Sequence, residues 1–185
     1  DPRLGEVRIA KFADASAQEV LAWASEAFGR RLAVACSMAG DTVVAHLAAQ
    51  ASPGVDVLFL QTGYHFPEPI GTRDALQVSI DARIVDVLPR QTVAEQDAEY
   101  GPRLYERNPT LCCAMRKVEP IERELASYEA WVTGLRREDS PLRAGVVGIH
   151  GRVVHLPAPQ PHARAILQVD GRIQRQPHQP SRPLL

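Results

Sequence analysis

Residues 32–60 read LAVACSMAGDTVVAHLAAQASPGVDVLFL. The run 32–36 is short and apolar without alternation, as a strand covered on both faces must be. After the turn Ser37-Met38-Ala39-Gly40, residues Val43, Val44, Leu47, Ala48 and Ala51 recur at helical spacing. Pro53-Gly54 breaks that helix, and 55–60 reads as a second buried strand. Strand, helix, strand at these lengths predicts an α/β domain with a mainly parallel sheet flanked by helices.

Outward from this unit the same alternation continues. Upstream, Ser16 and Glu19 make an S-x-x-E capping box, followed by Val20, Trp23, Ala24, Ala27 and Phe28 on one helical face, with Gly29 as the stop. Downstream, a polar loop and short helix over 61–76 lead to a third strand at 83–87. Thr92 and Glu95 repeat the capping box, and Gly101-Pro102 ends that helix. Val118, Ile121, Leu125 and Tyr128 form an apolar stripe, so Cys112 and Cys113 fall at or near a helix start, and 131–135 reads as a fourth strand that delivers Arg136 and Arg137 at its C-terminal end. Open α/β sheets receive ligands at the carboxyl ends of their strands. Three polar clusters, at 37–41, 61–65 and 136–137, are expected to converge there.

Composition narrows the function classes. Hydrophobic residues make up 45% and charged residues 23% of 185, as in an ordinary globular chain, and a net charge of -1 excludes the basic excess of a nucleic-acid binder. No apolar run approaches the roughly 20 residues of a membrane span, and no signal peptide is recognised, so neither nucleic acid nor membrane is an expected partner. Three cysteines do not make a disulfide framework, and a reducing, cytoplasmic setting follows. Two of them, Cys112 and Cys113, are adjacent, an arrangement too strained to bridge readily. Their alternatives are a metal or iron–sulfur ligand set, a reactive thiol, or coincidence. The stretch 157–185 holds six of the fifteen prolines, one acid (Asp170) and no sustained period, and is read as largely without packed structure.

Three blocks then suggest a family. DVLFLQTGYHF at 56–66, CCAMRKVEP at 112–120 and WVTGLRR at 131–137, in this order and spacing, resemble the assimilatory sulfonucleotide reductases, the adenylylsulfate (APS) and phosphoadenylylsulfate (PAPS) reductases. The resemblance covers about 31–143 and implies an adenine-nucleotide alpha-hydrolase-like fold. A cysteine pair followed by Arg-Lys is similar to the iron–sulfur branch, which implies APS as substrate and a [4Fe-4S] cluster with Cys112 and Cys113 as two of its ligands. It implies nucleotide binding by Ser37, Gly40 and Asp41 in the turn after the first strand, by Thr62, Gly63, Tyr64 and His65, and by Lys117, Arg136 and Arg137 around the sulfate or phosphate. His65 is assigned to binding rather than acid–base work. Met38 in the turn and Gln61, where the family has Asp, depart from its pattern.

The implied reaction is reduction of APS to sulfite and AMP in sulfate assimilation and cysteine biosynthesis. A tail cysteine attacks sulfur, AMP leaves, and thioredoxin releases sulfite from the S-sulfonate. This chain has no cysteine after Cys113, so neither that nucleophile nor a second cysteine pair is present in it, and no catalytic residue is assigned. Cys36 reads as a small buried apolar residue. The expected division is a reductase-like α/β domain over 1–143 and an atypical tail over 144–185, whose composition suggests out-of-frame translation. Turnover by this chain is expected to be impaired. The alternatives are an inactive adenine-nucleotide-binding domain, an adenylating ATPase relative, and a thiol or metal module on Cys112-Cys113. A homo-oligomer sharing one cluster through two such pairs is compatible with the sequence.

Overall fold

The computed structural model describes residues 16–36 and 41–134, together with the backbone of two further strands at 152–155 and 165–168. In chain order the elements are α1 (Ala17–Phe28), β1 (Leu32–Cys36), α2 (Thr42–Ala51), β2 (Val55–Leu60), α3 (Pro67–Ser79), β3 (Ala82–Val87), α4 (Val93–Tyr100), α5 (Leu104–Arg107), α6 (Pro109–Cys113), a π-helical turn (Ala114–Val118), α7 (Glu119–Leu125), β4 (Ala130–Thr133), β5 (Arg152–His155) and β6 (Ala165–Gln168). Both expected capping boxes are present: the Ser16 and Thr92 hydroxyls accept from the backbone N–H of Glu19 and Glu95, whose carboxylates reach back.

The sheet runs β3-β2-β1-β4-β6-β5. β1 pairs in parallel with β2 on one side and β4 on the other, and β2 with β3. This makes β1 central, which explains its unbroken apolar sequence. Alternate residues feed two cores. Val34, Val57, Phe59 and Val132 face Val20, Leu21, Ala24, Val44 and Ala48 of α1 and α2, while Ala33, Leu58 and Leu60 face Leu125 of α7 and Tyr128. Helices therefore cover both faces of the parallel sheet, and no described helix is long and apolar enough to cross a membrane.

Three details differ from the sequence reading. Val118 is 44% exposed rather than part of the buried stripe, because the π turn widens the helix and rotates it outward. The fourth strand is Ala130–Thr133; Leu135, Arg136 and Arg137 lie outside the described residues. Within 157–185, read as largely without packed structure, the short run Ala165–Gln168 is a strand hydrogen-bonded to β4, with β5 antiparallel beside it.

One polar cluster ties the sheet to α7. Asp56 on β2 accepts from Arg83 of β3 and, at 2.8 Å, from the Tyr128 hydroxyl. Burial, then the Asp56 hydrogen bond and charge, push the Tyr128 hydroxyl up to about 12. A group whose pKa is raised on folding contributes stability below its unfolded pKa of about 10 and loses it as pH rises through the folded value. Alkaline unfolding is therefore expected between about pH 10 and 12, and a circular-dichroism titration of Tyr128→Phe should show that limb reduced.

Candidate functional site

At the carboxyl end of β2 the chain leaves the sheet through Gln61, whose N–H donates to the Val87 carbonyl at 2.9 Å. Thr62 follows, buried, with its hydroxyl accepting from the Tyr64 N–H at 3.2 Å. That short turn requires a left-handed residue at its centre, and Gly63 supplies it with φ of 80°. His65 Nε2 lies 2.7 Å from the Leu60 carbonyl, so this nitrogen carries the proton, and the ring packs tilted against Phe59. This contact and the ring packing fix the orientation of the imidazole and tie the loop back to the end of β2.

The facing wall comes from the thiol segment. Asn108 caps α6 through its side chain, which accepts from Leu111 N–H at 3.1 Å, and Pro109 occupies the first turn. Helical structure then runs unbroken from Pro109 to Leu125, but it widens over Ala114–Val118, where the Glu119 N–H reaches the Ala114 carbonyl. Pro120 accounts for the widening: it has no N–H for the Arg116 carbonyl and its ring would press on that oxygen in a regular helix. Cys112, Cys113, Arg116 and Lys117 all line one cleft of about 760 Å³, with Thr62, Tyr64 and His65 opposite. Cys112 is buried and Cys113 exposed.

Arg116 joins the two walls. It is 3% exposed. Its Nε donates to the Thr62 carbonyl, its Nη1 to Gln96 Oε1 at 2.9 Å, and its guanidinium carbon sits 5.3 Å from the centre of the Tyr64 ring. Gln96, fully buried on α4, passes a hydrogen bond on to the Tyr64 hydroxyl at 3.3 Å. Tyr64 stacks edge-on against Tyr105, ring centres 5.2 Å apart. Burial first, then the Asp97 carboxylate, hold the Tyr64 hydroxyl above its ordinary value. The sequence reading noted Arg116 only as part of the cysteine–Arg-Lys block, with no site role, and did not single out Gln96. The signal for Arg116 was its place one turn beyond Cys112; Gln96, in a polar stretch, gave none.

The remaining expected residues fall elsewhere or outside description. Asp41 is buried at the carboxyl end of β1 beside the end of β4, so close that a Cβ on Gly134 would stand 2.7 Å from its Oδ1. Ser37 and Gly40 lie outside the described residues, as do Arg136 and Arg137. Burial, with the Asp41 charge second, pushes the Cys36 thiol up to about 12. It stays protonated at neutral pH and serves as packing, as read from the sequence. A four-iron cluster takes four thiolates. Among the described residues no three His, Cys, Asp or Glu side chains gather to hold a metal, and the cleft offers two thiols. The described residues therefore do not complete the cluster's ligand set.

Comparison with known proteins gives a consistent result. The family model of the phosphoadenosine phosphosulfate reductase domain matches residues 31–150. The chain is 62% identical over 137 residues to an adenosine 5'-phosphosulfate reductase of Streptomyces coelicolor, which covers 73% of this chain and 58% of that protein. It is 54% identical over 141 residues to the protein of the same name from Mycobacteroides abscessus, covering 76% and 59%. It thus spans about three fifths of the length of these curated relatives. The crystal structure of phosphoadenylyl-sulfate reductase from Candida auris, a phosphate complex, superposes with a TM-score of 0.60 at 21% identity over 85% of this chain and 72% of that one, a likeness of fold.

Proposed function

Because the chain belongs to the phosphoadenosine phosphosulfate reductase domain family, we propose that it supplies the nucleotide-binding part of an APS reductase. The whole protein reduces APS to sulfite and AMP in sulfate assimilation, in the cytoplasm, with thioredoxin as reductant. The observation that carries this reading is one cleft that brings an exposed thiol, a buried guanidinium and an exposed ammonium against the Thr62–Tyr64 turn. A sulfonucleotide carries its negative charge on adjacent phosphate and sulfate groups, and such a cleft offers cations where those oxygens would lie.

In this reading Lys117, exposed at the rim, meets the anion directly, and Thr62, Gly63, Tyr64 and His65 shape the wall beside it. Asp41 at the end of β1 is assigned to the phosphate, and the resemblance gives Ser37, Gly40, Arg136 and Arg137 the same ligand oxygens. The [4Fe-4S] cluster of the relatives' branch would draw on Cys112 and Cys113. Attack on the sulfate sulfur needs a thiolate, which bonds to sulfur as AMP departs; a dithiol then displaces sulfite and is itself oxidised to the disulfide. The sequence has no cysteine beyond Cys113, so the 185-residue chain is expected to bind AMP without releasing sulfite.

Isothermal calorimetry of the chain with AMP tests this. Binding is expected; with APS in place of AMP, Lys117→Ala should bind about 10-fold more weakly, the loss of one charge-assisted contact to the sulfate. An assay with APS and reduced thioredoxin should give no sulfite from this chain. Absence of AMP binding by the folded chain would overturn the nucleotide reading.

A further inference from the structure

We infer that Gln96 is a positioning residue, one that holds the Arg116 guanidinium at the back of the thiol cleft without neutralising it. The inference deepens the reading of the cleft as the place where an anion meets the thiols, and rests on it. Buried guanidinium groups are ordinarily paired with a carboxylate, since an uncompensated buried charge is costly. Arg116 is 3% exposed, yet its partners are a backbone carbonyl, an amide oxygen and an aromatic face, all neutral. Among the described residues it forms no ion pair. Asp97, next along α4, has its Oδ1 buried without a hydrogen-bond partner and is not bridged to it. The other titratable groups around the cleft are Tyr64, His65, Tyr105, Cys112, Cys113 and Lys117.

Glutamate at position 96 would have the same shape and would bind Arg116 more strongly. It would accept from Nη1 with one oxygen and from the Tyr64 hydroxyl with the other, so both contacts of the present network would survive. What would be lost is the positive field at the cleft. The amide therefore separates two effects that usually travel together: orientation of the cation and cancellation of its charge. An anionic substrate, or a thiolate, benefits from the first only while the second is avoided.

The test is Gln96→Glu in the full 185-residue chain, with the metal-free, reduced protein. Cys113, exposed where Cys36 and Cys112 are buried, is titrated with an anionic aromatic disulfide reagent and with a neutral dithiodipyridine. The ratio of the two initial rates cancels the thiol's own ionisation, which both reagents require, and reports the local potential. The ratio is expected to fall about fivefold at low ionic strength and less at high salt, with the melting temperature close to that of the parent chain. A role in packing alone predicts an unchanged ratio, and that result in folded protein overturns the inference. Should Gln96→Glu not fold, Arg116→Gln decides: it removes the charge, and an unchanged ratio there also overturns it. AMP calorimetry on the same proteins judges the nucleotide reading separately. A ratio that falls in a chain that never binds AMP leaves the inference standing and the nucleotide reading refuted.

Discussion

Arg116→Met should lower the stability of the chain by about 2–4 kcal/mol, because two buried acceptors lose their donor at about 1–3 kcal/mol each, offset in part by removing a buried charge that has no counter-ion. Those acceptors are the Thr62 carbonyl and Gln96 Oε1. Neither has an easy route to water: Thr62 is 8% and Gln96 0% exposed. Methionine replaces most of the aliphatic volume, so the loss is chiefly polar. At this chain length the shift corresponds to roughly 5–15 °C in melting temperature. Arg123→Met is the control. Arg123 bridges Glu119 on the half-exposed face of α7 and donates to the Leu88 carbonyl, and exposed ion pairs are worth about 0–1 kcal/mol. Differential scanning calorimetry of the two variants side by side checks the prediction. Equal, small shifts would mean that the buried guanidinium is not what joins the two walls of the cleft.

The contrast between these two arginines also shows where sequence reading reaches its limit. The sheet was legible because central strands of a doubly covered sheet have nowhere to put a polar side chain, so 32–36 and 55–60 declare themselves by composition. Helix starts were legible because a capping box is a local bond between residues three apart, at Ser16 and Glu19 and again at Thr92 and Glu95. The pairing of Arg116 with Thr62 spans 54 positions, and that with Gln96 spans 20. No local rule distinguishes an arginine buried by such contacts from one on a solvated face. The exposed position of Val118 escaped for a related reason: periodicity assumes 3.6 residues per turn, and Pro120 changes the pitch just where the stripe was counted. That the 62–65 turn and the 112–117 segment share a cleft followed from no local pattern; in the sequence only the family resemblance put them at one site.

Gly63→Ala should weaken the fold more than an alanine at the other left-handed turn glycine between α2 and β2, and the difference should be about 1–3 kcal/mol. Gly63 and Gly54 have nearly the same backbone angle, φ of 80° and 76°, so the strain of placing an L side chain there is shared. Their surroundings differ. A Cβ at Gly54 meets nothing within 4 Å, whereas at Gly63 it would stand 2.8 Å from Arg116 Nη2 and 3.0 Å from a methyl of Val93. Overpacking of this kind costs about 1–3 kcal/mol. The guanidinium cannot simply swing aside, because its Nε and Nη1 are held by Thr62 and Gln96; either those bonds break or the 62–64 turn lifts. Both outcomes move the wall opposite Cys113, so AMP affinity should fall at least about 10-fold in Gly63→Ala and stay unchanged in Gly54→Ala. Urea unfolding and calorimetry on the pair of variants measure the two effects together. If both alanines cost the same and bind AMP alike, the close approach of Gly63 to Arg116 carries no weight in the site, and the glycine is there for its turn alone.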